Sequence, residues 1–356
     1  MNIEVVKNAA LKFLNPDDYV SIEPLGQGLI NQTFKITAAP GLRSFVLQAI
    51  NSRIFLKPED ILFNYKLVYD SLTDNHESIH IPEPIAARNG VLLWKDDQDN
   101  YWRATAYIAN SYSPSIASDE NMAFRVANCF AKFTSALSTL QIYQLREIIP
   151  GFHNLSFRYE QFESAIKRAT VDNLIRSTFI ISELRNRKKF VDFYLVTCDS
   201  SNYPSRVMHH DCKINNILFE KISGKMICPV DLDTVMPGKF FSDLGDMLRT
   251  MTCPVDENST DWEKINVRPD FYKATLEGYL SGARNIFQKE EITNIHYSGI
   301  LLTYMQCLRF VTDYLLGNIY YRIDYEEQNL NRALNQLTLL KRMEEFLRKE
   351  YPFFQF

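Results

Sequence analysis

A short segment near the middle of the chain combines the residue types that phosphoryl transfer needs. His209, Asp211, Lys213 and Asn216 are spaced as H-x-D-x-K-x-x-N, and an apolar run follows directly. An aspartate beside a reacting hydroxyl can accept its proton, and a nearby lysine can offset charge on the transferring phosphate. We therefore predict that Asp211 is the catalytic base and that Lys213 assists at the phosphate.

A second acidic segment, Asp231-Leu232-Asp233, begins 15 residues after Asn216. A Ser-Gly pair lies midway between Asn216 and Asp231, and this pair suits the centre of a tight turn. A hairpin folded there would bring Asn216 and Asp231 together beside Asp211. Carboxylate and amide oxygens bind hard cations such as Mg²⁺, so Asn216, Asp231 and Asp233 are candidate metal ligands. The alternative is that these side chains only cap turns and strand ends.

Two glycines near the N-terminus lie between two predicted strands. Gly26 and Gly28 precede Asn31 and a strand that begins near Thr33. Glycine lets a backbone approach phosphates closely, so this turn could fold over a nucleotide. It is not a Rossmann fingerprint, because a strand follows it, and it is not a P-loop, because no Gly-Lys-Ser/Thr occurs. A simple β-turn with two glycines is the alternative.

The elements that must position these residues differ along the chain. Short apolar runs predict strands in the N-terminal part, at 20–22, 33–36, 45–50, 91–94 and 101–108. From residue 113 the apolar spacing is mostly helical, apart from a short β segment at 207–233. The predicted helices are 3–14, 58–69, 119–139, 157–170, 174–191, 268–282, 291–316 and 325–349. We predict an α+β fold with lobes at 1–108 and 109–356.

The composition narrows the class of protein and its partners. The chain has 356 residues, 46% of them hydrophobic, and a net charge of −4. This balance argues against a nucleic-acid partner, which would need a basic face. No apolar run approaches the roughly 20 residues that span a bilayer, and no leader pattern begins the chain. The six cysteines form no C-x-x-C pair, so we expect reduced, mostly buried thiols in a cytoplasmic protein without a membrane partner.

Taken together, these motifs resemble the aminoglycoside/choline phosphotransferase group and, within it, the N-acetylhexosamine 1-kinases. The resemblance covers nearly the whole chain. The matching stretches are Gly26-x-Gly28-x-Ile30-Asn31-x-Thr33, Val46-Leu47-Gln48-x-Ile50-Asn51, Trp102-Arg103, Phe152-His153-Asn154 with Arg158, D-L-D-T-V-M-P-G at 231–238, Asp243-Leu244-Gly245-Asp246, and Arg309-Phe310-x-Thr312-Asp313-Tyr314-Leu315 with Tyr320-Tyr321. The 231–238 run and the segment around Arg309 point to the sugar-kinase branch.

The resemblance implies a protein-kinase-like fold, with a small antiparallel β lobe that binds ATP and a large helical lobe that holds the catalytic loop, the Mg²⁺ site and a sugar pocket. The implied reaction transfers the γ-phosphate of ATP to the anomeric hydroxyl of an N-acetylhexosamine. The implied nucleotide-binding residues are Gly26, Gly28, Asn31 and Gln48. The implied sugar-binding residues are Arg309, Asp313 and Tyr320. The partner is then a small-molecule sugar, and the oligomeric state stays open.

Several alternatives remain at this stage. The acceptor could be a different small hydroxylated molecule of the aminoglycoside, choline or homoserine type, or the protein could be a non-catalytic kinase-like binder. Gln48 stands where protein kinases carry a phosphate-pairing lysine, and Leu29 stands where the hexosamine kinases are expected to have histidine. Arg309 and Asp313 are four residues apart on a predicted helix, so a structural ion pair is the alternative to sugar binding.

Overall fold

The computed structural model describes residues 2–15, 19–26, 30–39, 43–74, 79–283 and 286–352. The predictions for Gly28 as a nucleotide-binding residue and for Leu29 lie outside these residues.

The N-terminal part is rich in strands, and the rest is mainly helical. The elements before residue 113 are α1 (Ile3–Ala10), β1 (Tyr19–Pro24), β2 (Gln32–Ala39), β3 (Arg43–Ile50), α2 (Pro58–Asp74), β4 (Pro84–Ile85), β5 (Trp94–Lys95), β6 (Tyr101–Ala106) and β7 (Ser111–Tyr112). The later elements are α3 (Glu120–Ala136), α4 (Leu155–Arg168), α5 (Val171–Arg185), α6 (Lys189–Asp199), β8 (Arg206–Met208), β9 (Ile217–Glu220), β10 (Met226–Pro229), β11 (Met236–Gly238), α7 (Phe241–Thr252), α8 (Pro269–Gly282), α9 (Lys289–Thr293), α10 (Tyr297–Leu315) and α11 (Gln328–Glu350). This distribution confirms the predicted α+β class.

Three differences from the predicted elements concern helices. The helix expected at 291–316 is two helices, α9 and α10. The helix expected at 174–191 is two helices, α5 and α6, because α5 ends at a C-cap on Asn186. The helix α7 was missed by the sequence analysis. Every residue of α7 except Thr250 is buried, so its polar residues face the interior and obscure the one-sided apolar spacing that marks a surface helix.

The chain forms two compact units. The first unit comprises Met1–Tyr112, Tyr143–Ile149 and Leu218–Met236, and the second unit comprises Ser113–Ile142, Pro150–Ile217 and Pro237–Phe356. The lobe boundary predicted at residue 108 stays a prediction.

The first unit is built on an antiparallel sheet of order β1-β2-β3-β6-β4, with β5 also paired to β6. One face of the sheet contributes Leu47 and Trp102 to a core that also contains Val6 of α1. Side chains alternate between faces along a strand, so Gln48 and Arg103, which are direct cross-strand partners, share the opposite face. Gln48, one of the candidate nucleotide-binding residues, therefore lies on this face beside Arg103.

The hairpin that the Ser-Gly pair predicted is confirmed within the first unit. Strands β9 and β10 are adjacent in a sheet, and the backbone N–H of Glu220 donates to the carbonyl of Lys225 at 2.8 Å. Gly224 has φ +63°, a left-handed conformation that glycine adopts without a steric penalty.

The second unit is a helical assembly around α10, which packs against α4, α5, α7 and α11. Helix α10 is buried nearly all round, as expected for a central helix. Several helices begin at side-chain caps; Asp119 of α3, for example, accepts from the backbone N–H of Met122 at 2.7 Å. Helix α3 packs against α8, where Gly278 permits close contact between the helices.

Two whole-chain predictions can be compared with the structure. None of the six cysteines forms a disulfide bond, and five of them are buried while Cys198 is partly exposed, which agrees with the expected reduced, mostly buried thiols. Among the residues that the structure describes, no helix is both long enough and apolar enough to cross a membrane.

Candidate active site

The second unit holds Asp211, Lys213 and Asn216 together on the loop after β8. The ammonium nitrogen of Lys213 lies 2.8 Å from Asp211 Oδ1. The side-chain amide of Asn216 donates to Asp211 Oδ2 at 3.0 Å and to the Asp211 carbonyl at 2.8 Å. The Asp211 side chain remains 25% exposed, so its carboxylate is both oriented and accessible.

The electrostatics of this loop keep Asp211 ionised. Burial by itself would raise the pKa of Asp211, but the charge of Lys213 and hydrogen bonds from Lys213 and Asn216 lower it below its ordinary value. Burial would lower the pKa of Lys213, whereas the Asp211 carboxylate raises it. At neutral pH the pair is a carboxylate beside an ammonium, and the carboxylate can accept a proton.

The loop itself is anchored by α7. The carboxylate of Asp243 accepts from the backbone N–H of His209 at 3.0 Å and of His210 at 2.8 Å. His209 is fully buried, and its ring packs edge-on against Phe130. His209 and Asp243 therefore shape the loop.

His210 belongs to a buried polar cluster on the same loop. His210 has φ +66°, and Nδ1 atoms of His210 and His153 lie 2.6 Å and 2.5 Å from the Ser242 hydroxyl. Burial lowers the pKa of His153 well below its ordinary value, and the charges of His210 and Arg309 lower it further. A Cβ on Gly238 would lie 2.4 Å from His210 Cε1, so the His210 ring occupies space that only glycine leaves open.

Arg309 of α10 faces aromatic rings in the second unit. Its guanidinium carbon lies 4.9 Å from the ring centroid of Phe152 and 5.7 Å from that of Tyr321. Arg158 donates to the Phe152 carbonyl at 3.1 Å and 3.2 Å. Burial, together with the charge of Arg309, lowers the pKa of Arg158 to about 10. Within the described part of the chain, no carboxylate forms an ion pair with either arginine.

The ion pair between Arg309 and Asp313 that the sequence allowed is not formed. Arg309 donates to the side-chain oxygen of Gln306 at 3.1 Å. The Asp313 carboxylate instead accepts from the backbone N–H groups of Tyr320 at 2.8 Å and Tyr321 at 3.0 Å, and from the Asn329 amide at 2.9 Å. Asp313 therefore holds the segment that presents Tyr320, whose side chain is exposed.

In the first unit, Asn31 and Gln48 take part in one hydrogen-bonded network. Asn31 is buried, donates to Asp233 Oδ2 at 2.6 Å and accepts from the backbone N–H of Asn51 at 2.9 Å. Gln48 donates to the Thr33 hydroxyl at 3.1 Å. Gly26 has φ +72°, and no described residue lies within 4 Å of the position that a Cβ would take there.

Arg103 completes this network, and the sequence analysis did not identify it as a site residue. Its Nε donates to Gln48 Oε1 at 2.9 Å, and its guanidinium lies 2.5 Å from Asp233 Oδ1. Burial would lower the pKa of Arg103, but the Asp233 carboxylate raises it. The available signal was an arginine in the middle of the strand run Y-W-R-A-T-A, because a buried charge needs a partner.

The candidate metal ligands are in different situations. Asp231 is exposed and has φ +60°, ψ +58°, a left-handed conformation that is uncommon outside glycine. Asp233 is buried and engaged by Arg103 and Asn31. Asn216 donates through its amide nitrogen, while its amide oxygen accepts no hydrogen bond from the described residues. Across those residues, no three His, Cys, Asp or Glu side chains are grouped for metal binding.

A unit built on an antiparallel sheet and a helical unit with an Asp-Lys-Asn loop are the parts of a protein-kinase-like phosphotransferase. Residues 21–285 match the phosphotransferase enzyme family (APH), and the chain belongs to this family.

Solved structures agree with this class of fold. Aminoglycoside 2′-phosphotransferase-IIIa in its GDP complex is 13% identical, with 94% of this chain and 99% of that chain covered and a TM-score of 0.60. Spectinomycin phosphotransferase with ADP and spectinomycin is 14% identical (95% and 98% covered, TM-score 0.56). Choline kinase from Cryptosporidium parvum is 12% identical (98% and 97% covered, TM-score 0.56). These matches confirm the predicted fold class; the narrower sugar-kinase resemblance stays a prediction.

Proposed function

We propose that this protein is a small-molecule kinase that transfers the γ-phosphate of ATP to a sugar hydroxyl, most specifically the anomeric hydroxyl of an N-acetylhexosamine. The observation that carries the proposal is the Asp211 carboxylate, kept ionised beside Lys213 and oriented by Asn216. Membership of the phosphotransferase enzyme family supports the reaction class. Two solved structures of similar fold hold ADP and GDP, which supports a nucleotide donor.

In the proposed reaction, Asp211 accepts the proton of the attacking hydroxyl and Lys213 offsets negative charge on the phosphate. Asn216 and Asp231 are the proposed Mg²⁺ ligands, because the Asn216 amide oxygen accepts no hydrogen bond from the described residues and Asp231 is exposed. Bound Mg²⁺ supplies charge neutralisation on phosphate oxygens. We leave Asp233 out of the ligand set, since its carboxylate already accepts from Arg103 and Asn31.

The acceptor residues are proposed to be Arg309 and Tyr320, with Asp313 positioning Tyr320 through its backbone. The charges in this region favour a sugar over a cationic acceptor. The charge of Arg309 acts on Arg158. Glu257 acts electrostatically on Arg309, but no described carboxylate forms an ion pair with either arginine. A choline or an aminoglycoside would bring a further positive charge to these two guanidinium groups. A polyol accepts hydrogen bonds from guanidinium groups and packs on aromatic rings.

A coupled ADP-release assay against a panel of acceptors tests this proposal. The panel contains N-acetylglucosamine, N-acetylgalactosamine, glucose, choline, homoserine and an aminoglycoside, and phosphorus NMR identifies the phosphorylated position. We expect turnover with an N-acetylhexosamine and a sugar 1-phosphate product. Turnover with choline or the aminoglycoside alone would remove the sugar assignment. ATP binding without ADP release from any acceptor would favour the non-catalytic alternative.

A further inference from the structure

The third strand of the first unit carries no cation at the position where protein kinases place a phosphate-pairing lysine. Gln48 stands there, and a neutral amide cannot supply a charge. A cation lies directly across the sheet, because Gln48 of β3 and Arg103 of β6 are cross-strand partners. The Arg103 Nε donates to Gln48 Oε1 at 2.9 Å. The sheet therefore carries a positive charge on Arg103 of β6, the strand adjacent to β3.

Arg103 is too buried to reach a phosphate itself. Its side chain is 2% exposed and that of its partner Asp233 is 4% exposed, with 2.5 Å between the charged atoms. The second oxygen of Asp233 accepts from Asn31, which in turn accepts from the backbone of Asn51. A single network thus runs from Gln48 of β3 through Arg103 and Asp233 to Asn31.

The same ion pair lies next to the proposed metal ligand. Asp233 is part of a short 3₁₀ turn, Leu232–Thr234, for which Asp231 is the N-cap in a left-handed conformation. Asp231 acts electrostatically on Arg103. The contacts of Asp233 with Arg103 and Asn31 therefore also restrain the backbone conformation of Asp231, which lies two residues earlier.

We propose that Arg103 is the positioning residue of the nucleotide site: its charge, on the strand next to the third strand, holds Asn31 and Asp231 in place through Asp233. This inference rests on the proposed function, since it takes nucleotide and metal binding by the first unit as given. Arg103 acts through Asp233 and contacts neither nucleotide nor metal.

The cross-strand pairing allows a test in which the positive charge is removed from Arg103 of β6 and introduced at Gln48 of β3. Removing one partner of a buried ion pair leaves the other charge uncompensated. Arg103→Met leaves the Asp233 carboxylate without its cation and so tests what the guanidinium group contributes. Direct cross-strand partners have Cβ atoms about 4.5–5.5 Å apart, so the ammonium introduced by Gln48→Lys can take the place of the guanidinium beside Asp233. In the presence of Arg103, the same substitution adds a second cation to the network.

The experiment measures Mg·ADP affinity by calorimetry, and the melting temperature without nucleotide, for four variants. We expect Arg103→Met to weaken Mg·ADP binding about tenfold or more, because orientation of the binding groups is lost. The double variant Gln48→Lys/Arg103→Met should recover most of this loss. Gln48→Lys alone should lower the melting temperature without tightening binding. The matched control Arg88→Met, an exposed arginine of the same unit, should bind as wild type does.

The outcomes separate three situations. Wild-type Mg·ADP affinity in Arg103→Met, with only a lower melting temperature, would make Arg103 a purely structural residue and overturn the inference, as would a double variant no better than Arg103→Met. Failure of the wild-type protein to bind any magnesium nucleotide would overturn the proposed function instead. If Arg103→Met does not fold, Arg103→Gln/Asp233→Asn leaves no unpaired buried charge. Unchanged nucleotide affinity in that pair also overturns the inference.

Discussion

At the scale of single residues, Asp211 illustrates how a catalytic carboxylate is kept charged inside a protein. A cation at 2.8 Å and an amide at 3.0 Å both favour its ionised form. Neither partner blocks the group, since the side chain keeps a quarter of its surface exposed. An asparagine at this position would keep an oxygen to accept from Lys213, but its amide nitrogen could not accept the hydrogen bond from Asn216.

Asp211→Asn should lower kcat by roughly 10²–10⁴, the usual contribution of general-base catalysis, because an amide cannot accept the proton. We expect the melting temperature and Mg·ADP affinity to stay near those of wild type. Steady-state kinetics with the best acceptor check the rate, and Asp199→Asn, an exposed site in the second unit, is the control. Turnover within a few-fold of wild type would show that Asp211 is not the base.

Arg309→Ala should raise the KM for the acceptor about tenfold or more, because a charged hydrogen bond is worth about 1.5–3 kcal/mol. The KM for ATP should change little. Arg309 donates to Gln306 but has no described carboxylate partner, so its loss should cost little stability. The matched control Arg342→Ala removes an exposed arginine of α11. An unchanged acceptor KM would exclude Arg309 from the acceptor site.

At the scale of elements, the close packing of helix α8 against α3 requires a glycine, Gly278, at the contact. A Cβ at Gly278 would lie 2.2 Å from the carbonyl oxygen of Phe124. This contact is with backbone, which cannot move aside as a flexible side chain would. The two helices must therefore separate to accommodate any larger residue.

Gly278→Ala should lower the free energy of unfolding by about 1–3 kcal/mol, the usual cost of overpacking. Helix propensity alone predicts the opposite sign, because alanine is favoured over glycine by about 0.5–1 kcal/mol in a helix interior. Urea unfolding distinguishes the two, with Ser281→Ala at an exposed position of α8 expected within about 0.5 kcal/mol of wild type. A more stable Gly278→Ala variant would contradict the close approach.

At the scale of the whole molecule, buried histidines make stability depend on pH. Burial lowers the pKa of His296 to about 4, and its Nδ1 atom lies 2.9 Å from the Tyr272 hydroxyl. In the unfolded chain histidine has a pKa near 6.5, so the unfolded state takes up a proton first as pH falls. Stability is then fully present above about pH 6.5 and decreases toward pH 4.

Between about pH 7.5 and pH 5, His296 should account for a loss of about 2 kcal/mol in the free energy of unfolding. His296→Gln should make the pH dependence flatter in this window, while His153 preserves part of it. Glu257 affects stability only at lower pH. Burial would raise its pKa, but Arg249 and Arg332 lower it to about 2. Denaturant unfolding at both pH values measures the free energy of unfolding. An equal change in this free energy between the two pH values in wild type and in His296→Gln would contradict the prediction.

The sequence by itself determined those features that depend on neighbours along the chain. Asp211, Lys213 and Asn216 lie within six residues, so one loop conformation brings them together. Alternating apolar residues determined the strands, and the Ser-Gly pair determined the turn between β9 and β10. The family resemblance predicted the kinase-like class for the same reason, since its motifs are short and contiguous.

Only the tertiary structure decided which distant residues share a network. Arg103 and Asp233 are 130 residues apart, and they form an ion pair because the fold brings strand β6 next to the segment that follows the β9–β10 hairpin. The register of β3 with β6 pairs Arg103 with Gln48. Likewise, Asp313 could pair with Arg309 by helical spacing, yet its carboxylate binds the backbone of the following segment. The periodicity of a sequence predicts which face of a helix or strand a side chain occupies. It does not predict the ion-pair partner of a buried charge, because that partner is brought close by packing between residues distant in sequence.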